Sequence, residues 1–395
     1  MIFLVAVFFA FVIYGLVSAL FPSVWPQMAI EIGVDYTLIG ILIVVINIGS
    51  GLSSAFSYVV RRKLGTSRSI VLSLSMFVIS LLLFLNAKNL VIICFALVFL
   101  GIGNGIIDTV INSYVIKAYD SGKISLLHAS WGIGSSAGPV LMSLALTNTN
   151  NYKNGFLWVV IVLVFVIALF IALKAYWEEK KKTLDKDFVA LHSVSEEEKQ
   201  SKSSLLDILK IKNGLTFVSC FDVMGATNTI LSAWMATIAV GQRGISVAEG
   251  ATAATCYFIG ITVTRVLLSI IAKKIGNHRV IYGGIIVSII GYVMLFIMNE
   301  SIYYMYVVAF IIGVGIAPAV PFLHSSVKEV FSEEYMGVVV SACNSTSLIA
   351  GAIISMFTTF FVQMVGINNI QVLFIILMVI GCFLYTRILK NKEAA

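Results

Sequence analysis

Twelve apolar stretches of about 20 residues each, split by short polar loops, run the length of this chain. That pattern constrains the fold more than any other feature. A helix rises about 1.5 Å per residue, so each stretch is long enough to cross the roughly 30 Å hydrocarbon core of a bilayer. Only 11% of residues are charged and 59% are hydrophobic, whereas a soluble chain carries about 25% charged residues. The expected fold is therefore an all-α polytopic membrane protein. Its spans lie near 3–27, 37–60, 69–86, 90–117, 124–147, 155–176, 214–240, 250–272, 280–298, 302–327, 336–364 and 368–387. The opening "MIFLVAVFFAFVIYGLVSAL" has no basic leader or cleavage site and stays apolar to Trp25, so it reads as the first span rather than a signal peptide.

The net charge of +7 does not point to nucleic acid, because the basic residues are confined to alternate loops. They cluster in 61–68, 117–123, 174–212 and 273–279, at Lys328, and in the tail from Arg387; the other side holds Lys88, Lys153 and Arg243. The positive-inside rule then puts both termini in the cytoplasm of a cell-membrane protein. Cys94, Cys220, Cys256, Cys343 and Cys382 all fall in spans without CxxC spacing and read as small apolar residues.

The halves repeat. "RRKLGTSR" (61–68) answers "AKKIGNHR" (272–279), and Gly101 and Gly103 answer Gly313 and Gly315 at an offset of 212 residues. Between the halves lies "WEEKKKTLDKDFVALHSVSEEEKQSKSS" (177–204), too polar to bury a core. The segment "SLLDILKI" (204–211) fits either a short interfacial helix or more linker. The chain accordingly divides into a six-helix bundle at 1–176, a cytoplasmic linker at 177–212 and a second six-helix bundle at 213–395, in pseudo-symmetric halves. A parallel repeat of six spans is an architecture of alternating-access transporters, with the solute held between the halves.

Few ionisable groups remain inside the spans: Asp108, His128, Asp222, Arg265 and His324. Each charge near the bilayer centre costs about 2.5–3.5 kcal/mol on insertion scales, so such groups face a cavity or a partner. Asn104, Asp108 and Asn112 are four residues apart and share one narrow face of the fourth span. That face either lines a cavity or joins helices by hydrogen bonds. His128 and Trp131 share a face of the fifth span, as proton carrier and sugar-stacking ring or as ordinary packing. Asp222 and Arg265 sit at equal depth, about 12 Å from the cytoplasmic face. They are expected to form a structural or gating ion pair, with a lone snorkelling Arg265 as the alternative. Pro318 and Pro321 in "GVGIAPAVP" are expected to kink or break the tenth span. His324 corresponds to Asn112 under the repeat.

The chain resembles the major facilitator superfamily across its whole length. "GNGIIDTVINSYV" (103–115) is similar to the fourth-span motif of the fucose permease and glucose/mannose:proton symporter group, matching its acid at Asp108 and its amide at Asn112. "LLHASWGIGSSAGP" resembles the group's fifth span, and "GATNTILSAW" its seventh, with Asn228 among the polar residues and Trp234 as the matching Trp. Second acids of the group fall here on Thr227 and Pro22. The resemblance implies proton-coupled transport of a sugar or another small polar solute. It makes Asp108 the coupling residue and Asn112, Asn228 and Trp234 solute contacts, with His128 standing where the group has a polar amide. Side-chain chemistry and helical position add His128 as a second proton carrier and Asn104, Trp131 and His324 as solute contacts. An exporter or flippase of amphipathic drugs or lipids on the same fold is the alternative. No HExxH or phosphate-loop motif occurs, and the one GxSxG match (Gly134–Gly138) falls inside the fifth span, so neither enzyme activity nor a metal or cofactor is expected. The expected partners are a small-molecule solute, protons and the bilayer, around a monomer.

Overall fold

The computed structural model describes residues 2–118, 121–172, 208–297 and 301–393. Most of the expected linker, residues 177–207, lies outside the described residues, as do the first four residues of "SLLDILKI". Helices α1 (Ile2–Ile32), α2 (Ile39–Leu64), α3 (Thr66–Leu85), α4 (Leu90–Ala118), α5 (Ser121–Thr149) and α6 (Tyr152–Ala172) form a first set. The second set is α7 (Gly214–Arg243), α8 (Val247–Ile275), α9 (Asn277–Leu295), α10 (Ile302–Ile316), α11 (Ala319–Val330), α12 (Glu333–Val365) and α13 (Ile370–Glu393). Among the described residues, 11 segments are long and apolar enough to cross a membrane, one of them running through α10 and α11. The 29-residue α5 lies against α1 as a further long helix. Exposed Phe165, Ile270 and Phe383 belong to the apolar outer surface that a bilayer covers. This is a multi-pass helical membrane protein.

Packing follows the repeat. Within the first set α1 lies on α5, α2 on α4, and α3 on α4 and α6. Within the second, α7 lies on α12, α8 on α10, and α9 on α10 and α13. Contacts between the sets obey the same symmetry, with α5 on α8, α12 on α2, and α1 facing α7. The repeated glycines explain how closely these helices approach. A Cβ on Gly101 would strike the Ile46 carbonyl of α2, and one on Gly313 the Tyr257 carbonyl of α8. Two residues on, Gly103 meets Phe77 of α3, while Gly315 meets Ser288 of α9. Small residues let backbones touch where lipid supplies no hydrophobic drive.

The repeated basic loops also share a backbone device. Gly65 and Gly276 both take positive φ, 78° and 89°, and both close their helix by donating to the carbonyl four residues back. In the second half an acid from another helix completes the loop. Asn277 Nδ2 donates to Glu329 Oε1 at 2.6 Å, and His278 Nε2 lies 3.4 Å from Glu329 Oε2.

The tenth span breaks between α10 and α11, at Ala317 and Pro318. Proline cannot donate an N–H, so Pro318 and Pro321 strip two carbonyls of their helical partners. From sequence both a kink and a break are open; the structure makes the segment two helices.

Candidate functional site

The acidic stripe is assembled by α4 alone. Asn112 Nδ2 donates to Asp108 Oδ1 at 3.0 Å, the contact expected of side chains four residues apart on a helix. Asn104 is buried, and the Ser18 hydroxyl of α1 donates to its Oδ1 at 3.2 Å. Asp108 is partly exposed and pairs with no basic group among the described residues.

From Tyr14 a run of rings crosses between the halves. Tyr14 and Trp131 have centroids 6.4 Å apart, Trp131 and Phe258 of α8 lie edge to face at 6.3 Å, and Phe258 meets Tyr257 at 5.3 Å. The Tyr257 hydroxyl then donates to Asn228 Oδ1 at 3.2 Å on α7 and lies 3.4 Å from the Ser232 hydroxyl. The arrangement brings Trp131 and Asn228 to the seam between the sets, while Asn104, Asp108 and Asn112 stay on α4, tied to α1 through Ser18. Tyr14, Ser18, Phe258 and Tyr257 are additions that carry no charge and look like ordinary span residues. Their spacing could be recognised only once the facing helix was known.

One expectation is corrected. Asp222 and Arg265 do not pair. Asp222 Oδ1 accepts from Thr346 Oγ1 of α12 at 3.0 Å, and Arg265 Nε donates to the Ala317 carbonyl at 3.4 Å. Pro321 is the physical reason, because in a regular helix its N–H would have served that carbonyl. Trp234 is fully buried. Its indole lies 3.2 Å from where a Cβ on Gly40 of α2 would stand, and its Nε1 has no partner among the described residues. His324 has its ring edge on Phe221, with centroids 4.5 Å apart, and makes no described hydrogen bond. The side chain of His128 lies outside the described residues.

The two sets are tied at one end. Thr359 Oγ1 donates to the Thr37 carbonyl at 3.1 Å, Ser355 Oγ to the Gly40 carbonyl at 2.9 Å, and Gln363 Nε2 to Thr37 Oγ1 at 3.4 Å. Ser143 and Thr252 hydroxyls meet at 3.0 Å between α5 and α8. All of these lie toward the end opposite the basic loops. No described hydrogen bond joins the sets toward the basic-loop end. Among the described residues no cluster of three His, Cys, Asp or Glu stands ready for a metal.

Comparison with known proteins agrees with this fold. The sequence profile of the Major Facilitator Superfamily matches residues 7–246 and 215–395. An uncharacterized MFS-type transporter of Yersinia pestis is 23% identical over 323 residues, spanning 80% of this chain and 78% of its own. The fold is similar to the crystal structure of a POT family transporter in complex with 5-aminolevulinic acid. That match has TM-score 0.74 and 14% identity, covering 99% of this chain and 96% of the other. It is also similar to that of the peptide transporter POT in complex with sulfate, with TM-score 0.72 and 13% identity, covering 98% and 94%.

Proposed function

This chain belongs to the Major Facilitator Superfamily, and from that premise we propose that it is a proton-coupled secondary active transporter of a small polar solute. The bundles at 1–176 and 213–395, joined by the linker at 177–212, are the bodies that rock. The basic loops 61–68 and 272–279 face the cytoplasm of the cell membrane, with both termini. In that orientation the hydrogen-bonded tie between the sets lies on the outer side.

The observation that carries the reading is Asp108 itself, a partly exposed carboxylate at mid-span depth, held by an amide and by no cation among the described residues. A carboxylate in such a place can exchange a proton with water, and the solute competes with or follows that proton. Asn104, Asn112, Trp131 and Asn228 supply hydrogen bonds and a ring face to the solute. The likeness of residues 103–115 to the sugar symporter motif makes sugars the first class to test, with His128 as second proton carrier.

Asp108→Asn keeps size and hydrogen bonding but holds no titratable proton. In proteoliposomes with an imposed pH gradient it should lose accumulation while keeping exchange between two solute pools. Full proton-driven accumulation by this variant would remove Asp108 from the mechanism.

A further inference from the structure

Arg265 is a cation about 15 Å inside the basic-loop end of α8 (Val247–Ile275), too deep to be a simple interfacial anchor. Its Nε is taken by the Ala317 carbonyl. No acidic side chain among the described residues pairs with it, and its two terminal amino groups have no described partner. A charge at this depth is costly unless something neutralises it.

The position of Arg265 says where the neutralising group would come from. Phe258, Thr262 and Arg265 fall within about 60° of one another around α8. Phe258 meets the Trp131 ring, and Thr262 occupies the space a Cβ on Gly132 would need. Arg265 is therefore on the stripe of α8 that turns to α5 of the other half, one turn nearer the basic-loop end. Asp108 lies at the same depth on α4 (Leu90–Ala118), also about 15 Å from that end. The Tyr257 hydroxyl on the same helix donates to Asn228 Oδ1. Asp108 and Arg265 are thus ionisable groups at one depth on opposite halves, the second without an acidic partner among the described residues.

A neutral solute would leave that guanidinium uncompensated whether or not the site was filled. A planar carboxylate matches its fork and supplies the missing charge. We infer that the transported solute carries a carboxylate and that Arg265 receives it, with Asn228 and Trp131 contacting the rest of the molecule. This narrows the transporter reading above and rests on it.

Thermal shifts of the purified full chain would compare D-glucuronate and lactate with their uncharged counterparts, D-glucose and lactamide, with inorganic phosphate as a further arm. The expected result is stabilisation by at least one carboxylate, with its neutral counterpart binding about tenfold more weakly or worse. This arm needs no variant, so it holds even if a change at Arg265 impairs folding. In Arg265→Gln the carboxylate shift should vanish, and in Arg265→Lys it should be partly kept. Equal stabilisation by acid and neutral counterpart, by phosphate alone, or by none of the acids overturns the inference. So does a carboxylate shift of full size in Arg265→Gln. Uptake of the binding acid into proteoliposomes is scored separately. Arg265-dependent binding without uptake would sink the transporter reading alone, and proton-driven uptake of glucose that survives Arg265→Gln would sink this inference alone.

Discussion

At the scale of single residues, Arg265 and Pro321 form a unit that neither explains alone. Pro321 leaves the Ala317 carbonyl without its helical donor, and Arg265 Nε takes the place of that N–H. Removing the donor strands a carbonyl in a low-dielectric site, at a cost of about 1–3 kcal/mol. Arg265→Leu should therefore lower the melting temperature of the purified protein. Pro321→Ala restores a backbone N–H, so Arg265→Leu should cost clearly less in that background. Equal losses in both backgrounds would show that the contact carries no energy. The same reasoning separates Asp222 from Arg265, since each has its own partner on a different helix. How much of this was legible depends on range. The Asn112 to Asp108 bond follows from helical spacing and is visible in the sequence. The partner of Arg265 is not, because an orphaned carbonyl can be assigned only when the crossing helix is known.

Among the helices, the repeated glycines decide how near neighbours come. Gly101 and Gly313 lie against carbonyls of α2 and α8, which cannot move aside as a flexible side chain would. Valine at either position should cost about 1–3 kcal/mol by overpacking. Gly283 on α9 has nothing within 4 Å of the place a Cβ would occupy, and no positive φ. Gly283→Ala should be neutral, or stabilising by up to about 1 kcal/mol through helix propensity. Thermal melts of the three variants test the contrast. Similar losses at Gly283 and Gly101 would mean that glycine content, and not close approach, sets stability here. The glycine offset of 212 residues was readable in the sequence. The break of the tenth span into α10 and α11 was only partly so, since prolines in a membrane helix can bend it without ending it.

For the whole molecule, the decisive feature is closure at one end. Thr37 of the first half and Gln363 of the second are 3.4 Å apart through their side chains. Cysteines at both positions should be joined by a short membrane-impermeant cross-linker applied from outside intact cells. The link should hold the outer end shut and abolish solute accumulation, and a reducible linker should allow recovery after reduction. Continued full transport by the linked protein would rule out rocking about this closure. Reaction only when the reagent reaches the cytoplasmic side would reverse the orientation assigned from the basic loops.

Hydropathy, charge alternation and the internal repeat determined the spans, their pairing into halves and the place of Asp108 on one helical face. Those properties are periodic along the chain, and lipid enforces them on every helix separately. Only the tertiary structure decided that Asp222 bonds Thr346, that Arg265 serves a proline-freed carbonyl, and that Trp234 is buried at the closed end. It also decided which end of the space between the halves is closed. Equal depth on two helices does not make their side chains neighbours, because rotation about each helix axis is set by packing. A hydrogen bond between residues more than 300 positions apart, such as Ser355 to Gly40, leaves no local trace in the sequence.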